Sequence, residues 1–89
     1  MITITKAPYE EIVRGFDFSD RLLEGDSIAD SEWLLAQGIN GANATFDTDQ
    51  TEIELSGGTA VNQYIVTNQV ETVGGLKYQR SFKILVRER

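Results

Sequence analysis

The chain has 89 residues and a formal net charge of −6, a length that is enough for one domain and too short for two. It contains no cysteine and no histidine, which excludes disulfides, thiolate nucleophiles and the most common metal ligand and general base. Nucleic acid is also excluded as the main partner, because binding phosphates requires clustered lysine and arginine.

Alternating apolar and β-branched residues predict seven short strands. In chain order they cover residues 1–5, 11–18, 27–36, 42–46, 51–55, 63–73 and 76–86. The first strand contains Ile2 and Ile4 and is followed by Pro8, so we expect it at the edge of a sheet. Residues 21–23 are expected to form one helical turn, and residues 37–41 a loop.

The last two strands have the clearest pattern. Apolar residues alternate along one face of each, at Tyr64, Val66 and Val70 and then at Tyr78, Phe82, Ile84 and Val86. The two glycines between the strands are typical of a tight hairpin turn. This pattern predicts an antiparallel pair with one face on the core.

Two aromatic residues indicate which all-β fold the strands form. Trp33 lies in the third predicted strand, where a tryptophan commonly fills the space between two sheets. Tyr64 follows the glycine-rich corner at residues 56–59, and its hydroxyl is expected to bond back to the backbone of that corner. These features predict an all-β fold for residues 1–89, a single immunoglobulin-like or fibronectin type III-like β-sandwich of about seven antiparallel strands.

Charge is unevenly distributed along the chain. Residues 77–89 hold five basic residues and one acidic residue, a net charge of +4, and residues 1–76 therefore hold −10. This is typical of a solvated final strand beside acidic loops, and a polar interaction surface is the alternative. No apolar run is long enough to span a membrane, and the start lacks the regions of a signal peptide. We therefore expect assembly in a cytoplasm, with no membrane partner.

Carboxylate groups are the main candidates for site chemistry. Asp47, Asp49 and Glu52 supply oxygen atoms of the kind that bind calcium, but they lack the glycine and the spacing of an EF-hand. Glu52 and Glu54 lie on one face of a strand, as an acid and base pair would, yet a small sandwich offers no deep cleft. We predict that the chain is not an enzyme and has no cofactor, with calcium as a weak alternative.

Several segments resemble, in the same order, the sequences of small phage fiber-tail adaptor proteins. They are residues 6–12 (KAPYEEI), 16–20 (FDFSD), 23–28 (LEGDSI), 31–33 (SEW), 53–60 (IELSGGTA), 64–68 (YIVTN), 80–82 (RSF) and 86–89 (VRER). The longest corresponds to the family's Leu-Ser-Gly-Gly-Thr run, followed by Tyr-x-Val-Thr-Asn. The resemblance covers almost the whole chain and implies a virion protein with an immunoglobulin-like fold, located between the fibers and the tail or neck.

Two functions from different classes follow. The first is a non-enzymatic adaptor that binds other virion proteins, and copies of itself, through strand edges and loops. Its contacts are expected at open edges formed by residues 2–5 and 76–89 and at the glycine-rich corner. The residues are Ile2, Ile4, Gly57, Gly58, Thr59, Arg87 and Arg89. The alternative is a capsid decoration protein or a carbohydrate-binding module on the virion surface, with Trp33 or Tyr78 as the stacking platform and residues 47–50 as its polar rim.

Overall fold

The computed structural model describes residues 1–88, and these residues form seven β-strands. The strands are β1 (Ile2–Lys6), β2 (Ile12–Asp17), β3 (Ile28–Leu35), β4 (Ile39–Phe46), β5 (Gln50–Gly57), β6 (Gln63–Thr72) and β7 (Lys77–Val86). Each predicted strand overlaps one of them, so the all-β prediction is confirmed. Within the described chain there is no helix that is long and apolar enough to cross a membrane.

The strands form two sheets, in the orders β1-β7-β6-β3 and β2-β5-β4. All pairs are antiparallel except one, because β1 runs parallel to β7, with Ile2 opposite Phe82 and Lys6 opposite Val86. The prediction of a wholly antiparallel sandwich is therefore wrong for this pair. The predicted open edge at residues 76–89 is also wrong, since β7 lies between β1 and β6. The first strand does lie at an edge, as predicted.

Two local predictions fail. The helical turn expected at residues 21–23 is only a tight turn, in which the N–H groups of Arg21 and Leu22 both donate to the carbonyl oxygen of Phe18. The loop expected at residues 37–41 ends sooner, because the buried residue Ile39 already begins β4. The glycines beside Ile39 concealed this start in the sequence.

The core lies between the inner faces of the two sheets, and the alternating positions of β6 and β7 supply much of it. The larger cluster contains Ile39, Ile53, Leu55, Tyr64, Val66, Phe82, Ile84 and Val86. A smaller cluster of Phe18, Ile28 and Val70 lies towards one end, with Tyr78 packed against it. The predicted faces of the last two strands are therefore confirmed, and they position the surfaces that remain exposed.

Two side chains of the core connect the sheets. Trp33, on β3, stacks on Phe16 of β2 with 5.9 Å between ring centroids, so its predicted place between the sheets is confirmed. Asn68, on β6, is fully buried and accepts a hydrogen bond of 2.6 Å from the hydroxyl of Thr51 on β5. The burial of Asn68 was not predicted, because its position alternates with valines in an apolar face.

Candidate functional site

The predicted contact residues fall in two neighbouring places. Ile2 and Ile4 lie along β1, the free edge of the four-stranded sheet. Gly57, Gly58 and Thr59 lie at the end of the sandwich where β1, β5 and β7 finish, and the exposed residue Arg87 follows β7 there. We call this the corner end. The remaining predicted contact, Arg89, lies outside the described residues.

Lys6 holds the corner end together. Its side chain is fully buried at the last position of β1, and its ammonium group donates to the carbonyl oxygens of Ala7 at 2.9 Å and Pro8 at 3.3 Å. It also donates to the carbonyl oxygen of Gly57 at 2.6 Å, which joins β1 of one sheet to β5 of the other. Burial lowers the pKa of Lys6, and the carboxylates of Glu10 and Glu11 oppose that shift. The sequence analysis missed this residue, because an isolated lysine is usually exposed.

The corner itself has the geometry that its glycines and Tyr64 predict. Gly57 and Gly58 have φ angles of 86° and 89°, a left-handed conformation that glycine adopts without strain. A Cβ atom on Gly58 would lie 2.7 Å from a methyl group of Val86, so a larger residue would clash with β7. The hydroxyl of Tyr64 accepts a hydrogen bond of 3.0 Å from the N–H of Thr59, which confirms the predicted bond to the corner.

Exposed apolar side chains surround this framework. Ile2 is 71% exposed on the free edge, although it faces the inner side of the sheet opposite Phe82. Tyr9, in the turn after β1, is 96% exposed, and Val61, in the loop after β5, is 74% exposed. The sequence analysis did not single out Tyr9 or Val61. The corner end therefore combines a hydrogen-bonded backbone with the exposed side chains of Tyr9 and Val61, and the adjoining β1 edge adds Ile2, as a protein-binding surface does.

The carboxylates considered for calcium lie at the opposite end of the sandwich. The carboxylate of Asp47 accepts hydrogen bonds from the N–H groups of Asp49 at 3.1 Å and Gln50 at 2.8 Å, so it closes its own turn. Burial and the charges of Asp17 and Asp47 raise the pKa of Asp49. Among the described residues no group of three acidic, histidine or cysteine side chains is arranged to hold a metal ion. The calcium hypothesis for Asp47, Asp49 and Glu52 stays a prediction without geometric support.

Another carboxylate at this end, that of Asp26, ties the loop before β3 to the turn after β6. It accepts hydrogen bonds of 2.9 Å from the N–H groups of Ser27 and Gly74. The Thr72 hydroxyl and the Gly74 N–H lower the pKa of Asp26. A carboxyl whose pKa falls on folding stabilises the fold above its unfolded pKa and loses that effect as the pH falls through its folded pKa. Asp26 therefore contributes to stability at neutral pH.

We expect the variant Asp26→Asn to unfold at a lower urea concentration than the wild-type chain at pH 7. Since the stabilisation belongs to the ionised form, the difference between the two midpoints should shrink below about pH 4 and vanish once wild-type Asp26 is protonated. Urea titrations between pH 7 and pH 2.5 measure it. The matched control is Glu24→Gln, in the same loop and exposed, which should not change the midpoint. A difference that grew at low pH would contradict the prediction.

The aromatic residues proposed as a carbohydrate platform do not form one with the loop assigned as its rim. Trp33 is stacked on Phe16 between the sheets, and Tyr78 packs against the smaller core cluster. The loop at residues 47–50 lies beside the smaller cluster, because the carbonyl oxygens of Thr48 and Asp49 accept hydrogen bonds from the N–H groups of Ile28 and Phe18. Both aromatic rings pack towards the core, so neither presents an open stacking face to that loop.

The chain is a small sandwich with a hydrogen-bonded corner and an open edge strand. Residues 6–85 match the sequence model of the podophage GP4 fiber-tail adaptor protein gp77 family. The chain belongs to this family. Membership makes it a structural, virion-associated phage protein and confirms the resemblance seen in the sequence.

A solved structure supports the fold of this fiber-tail adaptor family member. The solution structure of the PKD domain from the KIAA 1837 protein, an immunoglobulin-like domain, superimposes with a TM-score of 0.63 at 18% identity. The match covers 99% of this chain and 80% of the PKD chain. At this identity the likeness concerns the fold alone. No curated protein matches the sequence.

Proposed function

We propose that the chain is a non-enzymatic adaptor that joins fibers to the tail or neck of a phage particle by protein–protein contact. Residues 1–89 would act as one domain in the virion, assembled in the host cytoplasm without a cofactor, nucleic acid or membrane as partner. Copies of the chain would also bind one another. Family membership supports the role, and the free β1 edge beside the rigid corner end supports the way it binds.

The observation that carries the proposal is the orientation of the β1 backbone. The carbonyl oxygen of Lys6 accepts a hydrogen bond of 2.9 Å from the N–H of Arg87, so it points towards the β7 side. The N–H and C=O of a strand residue point to one side, and the side alternates along the strand. Those of Ile4 therefore also point to β7, and those of Thr3 point to the open edge. A strand of another virion protein placed there would extend the four-stranded sheet.

This orientation allows a matched pair of proline substitutions. Thr3→Pro removes only an N–H that faces outward, so the chain should fold, while Ile4→Pro removes an N–H of the β1–β7 ladder and should destabilise it. We expect Thr3→Pro to keep the β-type circular dichroism spectrum and yet to be lost from purified phage particles. Incorporation is measured by quantitative mass spectrometry of particles grown with wild-type or variant chain.

Three results would count against the proposal. The wild-type chain could be missing from purified particles, which would exclude a role in the virion. Folded Thr3→Pro could enter particles as well as the wild type, which would exclude the β1 edge as the contact. Electron microscopy of intact particles could locate the chain on the capsid shell, which would favour a decoration protein over an adaptor between fibers and tail or neck.

A further inference from the structure

The outer face of the four-stranded sheet, which points away from the core, has its charges sorted by strand. Asp30 and Glu32 lie on β3, Glu71 on β6, and Lys77 and Lys83 on β7. The register places Asp30 opposite Glu71 and Glu71 opposite Lys77, so carboxylates and ammonium groups occupy opposite sides of one row. One side of the face is therefore negative and the other positive.

Asp30 accepts a hydrogen bond of 2.9 Å from the N–H of Ser31, but no charged group of this face has a salt-bridge partner among the described residues. The salt bridge found among the described residues joins Arg80 to Asp20, and it uses none of the charged groups of the outer face. Instead, Asp30, Glu32, Glu71 and Lys77 line an open concavity of about 310 Å³. Gln69 and Gln79 also line it, and their amides form a hydrogen bond of 2.8 Å.

The other half of the same face is more apolar. Leu34 on β3 is 43% exposed, and Ile65 on β6 is 47% exposed. Across the strands from Leu34, the hydroxyls of Thr67 and Ser81 bond to each other at 2.8 Å, and Lys83 lies opposite Ile65. Charged groups at one end and apolar groups at the other make a face that can pack against a second sheet.

We propose that this face binds the same face of a second copy of the chain, across a two-fold axis parallel to the strands. Such an axis reverses the order of the strands and leaves each residue at its own height. Lys77 of one copy then lies over Asp30 and Glu71 of the other, and the reverse contact forms at the same time. A two-fold axis perpendicular to the strands would instead place β3 over β3, so only the parallel axis pairs unlike charges.

The area of the outer face indicates how strongly two copies of the chain should bind. The four strands hold 5, 10, 10 and 8 residues. At about 3.4 Å per residue and about 4.8 Å per strand they give a face of about 540 Å². A stable specific interface buries about 800 Å² on each partner, so this dimer should be weak and concentration-dependent. Because its contacts include exposed ion pairs, it should also weaken as salt is added.

This inference specifies the self-association included in the proposed function, but its test does not depend on the virion. Sedimentation equilibrium of the full chain at low salt should show a monomer–dimer equilibrium. Lys77→Glu alone and Asp30→Lys with Glu71→Lys should each raise the dimer dissociation constant by about tenfold or more, since each change acts twice across the axis. Mixing the two variants should restore dimers, because every contact across the axis then pairs unlike charges again.

Matched controls make the same charge changes on the other sheet, at the exposed residues Arg14→Glu on β2 and Glu52→Lys on β5. They should leave the dissociation constant unchanged. A wild-type chain that is monomeric at its highest soluble concentration would overturn the inference. So would a dimer that Lys77→Glu leaves intact and Thr3→Pro abolishes, because copies would then pair through β1. Failure of dimerisation leaves incorporation of the wild-type chain into particles unaffected, which separates this inference from the adaptor role.

Discussion

Replacing Lys6 with methionine is expected to lower the free energy of unfolding by about 2–4 kcal/mol, because buried carbonyl oxygens then lose a charged hydrogen-bond donor. The oxygens are those of Ala7, Pro8 and Gly57. Methionine keeps most of the apolar stem of lysine, so the loss reports the missing donor and not an empty cavity. Urea unfolding at pH 7, followed by the fluorescence of Trp33, measures it.

Lys83→Met is the matched control, since Lys83 lies on the outer face of β7, opposite Thr3 of β1, and donates no hydrogen bond to a described residue. It should change the free energy of unfolding by less than about 0.5 kcal/mol.

The stability of the wild-type chain should also depend on pH through Lys6. Folding lowers the pKa of Lys6, so just below the usual lysine pKa the unfolded chain binds more protons than the folded chain. This adds stability as the pH rises, and Lys6→Met should lack that increment. Equal losses in both variants would contradict the assignment.

The strand pattern of this family member could be predicted because each core strand alternates on its own. Val66 and Val70 on β6, and Phe82 and Ile84 on β7, show the period of two without reference to any partner. The corner could be predicted for a similar reason, since Gly57 and Tyr64 lie within a few residues of one another. Short-range patterns therefore specified the strands, the inner faces and the tyrosine bond.

The pairing of the first strand, β1, with the last strand, β7, could not be predicted in the same way. β1 carries alternating isoleucine and threonine residues whether it runs parallel or antiparallel to its neighbour. Each residue of β1 pairs with a residue of β7 that lies 80 positions later in the chain, and local sequence does not encode that pairing. For this reason the sequence predicted β7 as an open edge, although β1 covers it.

The buried polar residues were missed for a different reason. Lys6 and Asn68 are polar residue types that usually face solvent, and their burial depends on acceptors or donors supplied by distant strands. Lys6 finds its partner at Gly57 and Asn68 at Thr51, so each joins the two sheets at a different height in the sandwich. The hydrogen bonding of the corner end thus depends on a contact between residues far apart in the chain, and a local sequence pattern cannot predict such a contact.

A second large loss of stability is expected when Asn68 is replaced. Its side-chain oxygen accepts from the hydroxyl of Thr51 at 2.6 Å, and its amide group donates to the hydroxyl of Ser31 at 2.9 Å and to the carbonyl oxygen of Glu32 at 3.0 Å. Asn68→Leu has a similar volume but leaves all three groups without this partner. We expect the free energy of unfolding to fall by about 2–4 kcal/mol, measured by urea titration.

Gln63→Leu, at an exposed position of the same strand, is the control and should change the free energy of unfolding by less than about 0.5 kcal/mol. The double variant Asn68→Leu with Thr51→Val tests the cause. The cause under test for the free energy lost in Asn68→Leu is the Thr51 hydroxyl, which is then left without a hydrogen-bond partner. In that case removing the hydroxyl should recover part of the free energy of unfolding, and the double variant should lose less than the sum of the two single losses. Strictly additive losses would show instead that Asn68 acts through Ser31 and Glu32 within one sheet, and that it does not connect the two sheets energetically.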